Sequence, residues 1–323
     1  MHNVFYTDKK KIWNDVGIFI CIFNIIEVSY SQPKLSGCAQ WNSHGITLAD
    51  ETVVGIEPKD IFIDRNNTIY VLDHDNGRIQ MWNANSKTPM TIPLDYWLEY
   101  KGFFVSLDES IYIGHKDDGT IEKWSRNGTK SAVVMKFDDS CFALFVDINN
   151  YLYCSMINKD QVVKQPLDGI TNMSIRVAGT GILGDASDML TFPRGIFVDI
   201  NLDLYVADYG NNRIQLFKAG QLNGTTVAGV DSTPSIALYN PTAVFLDADG
   251  YSFIVDTFNY RIIGSRSNGF FCVVGCSHVI GSASDQLDMP FSAAFDSYGN
   301  IYVTDTFNNR IQKFNLLTNI SGK

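Results

Sequence analysis

Positive charge is in short supply in this chain. Its 323 residues carry 25 Lys and Arg against 35 Asp and Glu, a net charge of −10. A protein that neutralises phosphates needs a basic stripe to release condensed counterions. After Lys9-Lys10-Lys11 no such cluster occurs. The balance argues against nucleic acid and, for the same reason, against anionic membrane surfaces. Histidine is scarce as well, with five residues, and no CxxC or Cys/His cluster with zinc spacing occurs. No segment shows sustained helical periodicity with caps, which argues against a helical fold.

What is present begins with a leader-like start. Lys9-Lys10-Lys11 precedes the apolar stretch 16–26, and Glu27, Ser29 and Ser31 follow. A basic region, an apolar stretch and small residues make a signal-peptide pattern over 1–30, with an uncleaved signal anchor as the alternative. The stretch is short of the roughly 20 apolar residues that a comfortable span needs. The expected address is extracellular, with no membrane insertion of the mature domain. Asn66, Asn127, Asn172, Asn223 and Asn319 open Asn-x-Ser/Thr sequons, which are glycosylation candidates in a secreted chain. Cys38, Cys141, Cys154, Cys272 and Cys276 remain once Cys21 leaves with the leader. Cys141 and Cys154 flank a turn nearly symmetrically, and Cys272 and Cys276 are close neighbours. Both pairs can bridge, which leaves Cys38 over.

Internal repetition decides the fold. Pro193–Asp199, Leu204–Asp208 and Asn211–Phe217 can be laid over Pro241–Asp247, Phe253–Asp256 and Asn259–Ile262, and over Pro290–Asp296, Ile301–Asp305 and Asn308–Phe314. A fourth copy runs from Pro58 through Asp64, Tyr70, Asp73 and Arg78 to Trp82. Two degraded copies lie between, one with His115 and Thr120, the other with Met156 and Gln161, where Asp and Arg stand elsewhere. The first aspartates of the six copies are read as 64, 108, 147, 199, 247 and 296, spaced 39 to 52 residues apart. Four short strands in about 40 to 50 residues make one propeller blade.

The expected fold is therefore all-β: a six-bladed β-propeller of four-stranded antiparallel blades over 45–318. Residues 31–44 form a lead and 319–323 a tail. The last copy stops after three strands near Leu316, and Gly45–Ala49 reads as a spare fourth strand. The N-terminal strand is thus expected to complete the last blade and remove an open edge.

The recurring pattern resembles the NHL repeat family, carried by Asn212-Arg213-Ile214, Asn309-Arg310-Ile311 and Gly77-Arg78-Ile79. The resemblance covers roughly residues 45–316. It implies an interaction platform in most members and an enzyme in a minority, the peptidyl-amidating lyases, which hold zinc with three histidines. His74, His115 and His278 are the candidates for such a ligand set, although no residue-by-residue match supports them.

Asp73/Arg78, Asp208/Arg213, Asp256/Arg261 and Asp305/Arg310 are placed to pair across hairpin mouths. Their fourfold repetition argues for architecture, since a catalytic group is needed once. The first aspartates can hold Ca²⁺ in the channel or cap the turns that follow them. No cofactor is expected beyond this open question of calcium or zinc. The aromatic segment 96–104 can be a contact surface or a space filler. The expected function is a secreted binding module for a protein, peptide or glycan. The alternative is a metal-dependent enzyme of the amidating-lyase or lactonase-like type.

Overall fold

A computed structural model describes residues 28–84, 86–94, 100–115, 117–169 and 173–318. Residues 1–27 of the leader-like start, residues 96–99 of the aromatic segment, Asn172 and Asn319 lie outside these residues.

Six four-stranded antiparallel sheets follow one another along the chain. Blade 1 comprises Asp60–Ile63, Ile69–Asp73, Arg78–Trp82 and Met90–Pro93. Blade 2 comprises Tyr100–Val105, Ile111–His115, Thr120–Trp124 and Lys130–Lys136. Blade 3 comprises Leu144–Val146, Tyr151–Met156, Gln161–Pro166 and Ile175–Ala178. Blade 4 comprises Pro193–Val198, Leu204–Asp208, Arg213–Phe217 and Thr225–Ala228. Blade 5 comprises Ala243–Leu246, Ser252–Asp256, Arg261–Arg266 and Gly269–Val274.

Blade 6 takes Pro290–Phe295, Ile301–Asp305 and Arg310–Phe314 from the end of the chain and Ile46–Ala49 from its start. Ile46 pairs with Lys313 and Thr47 with Gln312, so the N-terminal strand closes the ring as expected. Gln40–Trp41 adds a small two-stranded sheet with Leu316–Thr318, which the sequence did not suggest.

Stacked blades bury both faces of their middle strands. That is why these strands read as unbroken apolar runs, as in Ile69-Tyr70-Val71-Leu72, and do not alternate. The first strands line the central channel and come very close together there. A Cβ on Gly195 would meet the Thr242 carbonyl at 2.6 Å, and one on Gly102 the Phe142 carbonyl at 2.6 Å. A larger residue at either position would push neighbouring blades apart.

Strand direction gives the ring two unlike ends. The turns after first and third strands lie at one end, the turn face. The second-to-third hairpins and the linkers to the next blade lie at the other, the linker face.

The lead crosses the turn face as a strap. Ser31 donates from its backbone N–H to the Ile63 carbonyl at 3.0 Å and from its hydroxyl to the Asp64 carbonyl at 2.6 Å. Tyr30 enters the channel and packs on Phe145 at 5.6 Å and Phe197 at 5.2 Å between ring centroids. Further on, Gln32 donates to the Asp247 carbonyl and Trp41 to the Gly299 carbonyl. Ser29 and Tyr30, read above as the end of the leader, therefore belong to the folded body.

Two other sequence readings change. Ser106, not Asp108, occupies the first-aspartate position of blade 2, because Phe104 pairs with Tyr112 as Phe62 does with Tyr70. Asp108, two places further along a turn of the usual length, hid the register. Phe103 and Phe104 are buried in the first strand of blade 2, so this part of the aromatic segment fills the core.

Candidate functional site

The repeated ion pairs are built into the linker face. Arg78, Arg213, Arg261 and Arg310 donate through Nε to Asp73, Asp208, Asp256 and Asp305 at 2.6, 2.7, 2.8 and 2.6 Å. Each carboxylate is fully buried. The guanidinium also reaches back to the incoming linker. Arg213 donates to the carbonyls of Asp185, Ala186 and Met189, and Arg310 to those of Ser282, Ala283 and Gln286. Each pair thus bolts a blade linker onto the next hairpin. That is a positioning task and leaves the groups saturated.

The first aspartates cap turns. Asp64 accepts from the N–H groups of Asn66 and Thr68 at 2.9 and 2.8 Å. Asp147, Asp199, Asp247 and Asp296 do the same two and four residues on. Burial pushes Asp247 up to about 6 even so.

The degraded blades differ at the hairpin-pair position. Met156 faces Gln161 in blade 3. In blade 2, His115 Nε2 lies 2.9 Å from the buried Glu122 carboxylate, which also meets Lys130 and accepts from Trp124 at 2.9 Å. His74 lies beside Asp75 at 3.0 Å, and His278 is exposed in the linker after blade 5. His74 and His115 make separate local contacts with carboxylates, and His278 is exposed in its linker. Among the described residues no three His, Cys, Asp or Glu side chains converge as a metal would require.

The channel itself encloses a cavity of about 130 Å³, walled by the first strands of all six blades and closed at the turn face by Tyr30 and Ser31. Its walls are aromatic. Phe62, Phe104, Phe145 and Phe197 follow one another at 5.0, 4.9 and 5.2 Å, and Phe245 meets Phe295 at 4.9 Å. Asp60 is the carboxylate in this wall. It accepts from the Ser292 hydroxyl at 3.0 Å, and burial raises it to about 7, only partly offset by that bond and two backbone N–H groups.

At the linker end, Phe142 and Phe291 come from opposite blades and touch across the mouth, 5.7 Å between centroids. Arg194 lies over Tyr209 at 3.5 Å, and Tyr209, Phe258 and Tyr239 continue outward at 6.5 and 5.2 Å. Sequence reasoning missed Asp60, Arg194 and this aromatic row. None repeats in every blade, and repetition was the signal being read.

The linkers of blades 4 to 6 add exposed apolar residues beside this row. Ile182 and Leu183, Val230, Val279 and Ile280, and Phe307 on the last hairpin are all at least half exposed. The described sequons Asn66, Asn127 and Asn223 are exposed and stand on the opposite face, in turns after first or third strands. Disulfides join Cys141 to Cys154 and Cys272 to Cys276, leaving Cys38 exposed with a free thiol. They fit an oxidising compartment. Among the described residues no helix is long and apolar enough to cross a membrane.

No curated protein matches the chain in sequence. Solved structures similar to it include virginiamycin B lyase from Staphylococcus aureus, 13% identical with a TM-score of 0.62, covering 86% of this chain and 100% of that one. A gluconolactonase from Xanthomonas campestris is 14% identical with a TM-score of 0.59, covering 88% and 100%. A chain of a nidogen/laminin complex is 17% identical with a TM-score of 0.55, covering 71% and 82%. At these identities the likeness shows the fold alone. The NHL repeat family matches residues 190–217, the first three strands of blade 4 with the end of the linker before them. The chain is a six-bladed β-propeller that carries an NHL repeat.

Proposed function

We propose that this protein is a secreted, non-enzymatic binding module that presents its linker face to a protein or peptide. The observation that carries the reading is the asymmetry of the two faces. The turn face is crossed by the chain's own lead, closed by Tyr30, and bears the described sequons. Both faces expose apolar side chains, Leu107, Ile148, Ile200, Leu222 and Tyr298 among those of the turn face, but on the linker face they stand in adjoining linkers beside an aromatic row. Adjoining apolar groups with a polar rim mark interaction sites. The similar propeller in a nidogen/laminin complex supports the reading.

The test compares capture of extracellular proteins by three forms: wild type, a Val230→Asp and Val279→Asp double variant, and a turn-face Tyr298→Asp variant. The reading expects the specific partner to be lost from the first variant and kept by the second. Equal capture by both variants contradicts it.

Asp60 in the channel and the likeness to lyase and lactonase structures favour a second reading, an enzyme working at the channel mouth. We assign the protein no resident metal. Stoichiometric zinc or calcium in protein purified without chelators would turn the assignment towards this second reading.

A further inference from the structure

We propose that the linker-end mouth of the channel is a carboxylate-binding site centred on Arg194. Arg194 sits at the start of the first strand of blade 4, in the irregular step between the paired residues Pro193 and Ile196. Its guanidinium lies 3.5 Å from the centroid of Tyr209, 5.1 Å from Phe142 and 5.3 Å from Phe291. Three rings therefore strip water from the cation, and burial pulls it below the usual arginine range. The Tyr209 side chain is its hydrogen-bond partner, and no carboxylate neutralises it among the described residues. Its Nε is buried without a hydrogen-bond partner.

Other arginines of the chain are treated differently. Arg176 and Arg266 reach backbone carbonyls, Arg126 reaches Glu109, and the four hairpin arginines pair with buried aspartates. A guanidinium that is desolvated and has no counter-ion is a receptor for an oxyanion, and its planar fork matches a carboxylate in two parallel hydrogen bonds. One cation in a protein of net charge −10 suits a monoanion better than a phosphate dianion. The aromatic walls select an apolar group beside the carboxylate. Arg194, Tyr209, Phe142 and Phe291 are all only half-buried, so a ligand can reach them.

The ligand class is thus a carboxylate carried on an apolar or aromatic group, either a small free acid or the C-terminus of a peptide. This inference rests on the linker-face reading and specifies the chemistry recognised there.

Calorimetry tests it with phenylacetate against phenylacetamide, and with a short peptide ending in Phe against its C-terminal amide. The acids are expected to bind at least about tenfold more tightly than the amides. Arg194→Gln is expected to abolish that difference, and Arg194→Lys to restore part of it. A peptide that binds more tightly than phenylacetate identifies a chain terminus; equal binding identifies a free acid. If Arg194→Gln does not fold, salt serves on the wild type, weakening the acids and sparing the amides. Equal binding of acid and amide, an unaffected Arg194→Gln variant, or no heat from either acid at millimolar concentration would overturn the proposal. The turn-face Tyr298→Asp variant should bind both acids as wild type does; absent acid binding together with partner capture that Val230→Asp and Val279→Asp still abolish would overturn this site and leave the linker-face reading standing.

Discussion

Asp60 and Arg213 show two ways in which this propeller buries charge. Burial lifts the Asp60 carboxyl to about 7, so the folded state holds its proton more tightly than the unfolded chain does. The associated stabilisation is complete below the ordinary aspartate value and is lost as the pH rises towards 7. Urea unfolding at pH 5 and pH 8 should therefore show wild type losing roughly 2 kcal/mol more than Asp60→Asn across that interval. Parallel losses would show that Asp60 is ordinary. Arg213 is the opposite case, 8% exposed and bonded to one carboxylate and three carbonyls. Arg213→Met strands Asp208 in the interior and should cost about 3–5 kcal/mol. Arg261 holds one linker carbonyl, so Arg261→Met should cost less. Melting curves rank the two, and faster amide exchange at 185–189 should accompany the first alone.

The strap and the ring-closing strand are the elements that complete the molecule. Without Ile46–Ala49, the strand Arg310–Phe314 would stand as an open edge next to an apolar core. A chain started at Asp50 should aggregate on size exclusion, whereas one started at Val28 should run as a monomer. Tyr30→Ala empties the channel end and should lower stability by about 3 kcal/mol, measured by denaturant unfolding.

Closure was legible in the sequence because an orphan strand and a missing one were both visible, at Gly45–Ala49 and after Phe314. The strap was not, because residues 28–39 bind through backbone groups and scattered contacts such as Gln32 to Asp247. Blade 2 was misaligned at Asp108 for a related reason. The turn keeps its hydrogen-bond geometry with Ser106 in the leading place, so side-chain identity no longer marked the register. Arg194 sits in a strand start that looks like any other, and only the approach of Phe142 and Phe291 from opposite blades gives it meaning.

For the whole molecule, the six blades make a nearly symmetric ring with unsymmetric ends. Its lead, its tail strand and the described sequons gather on the turn face, while exposed apolar linkers gather on the other. A partner engaging the ring is expected on blades 4 to 6 of the linker face. Amide hydrogen exchange on the partner-bound protein tests this most directly. The account predicts slowed exchange in the linkers 179–192, 229–240 and 275–289, with the turns 64–68, 199–203 and 296–300 unchanged. Protection of those turns, with the linkers exchanging as in the free protein, would contradict it.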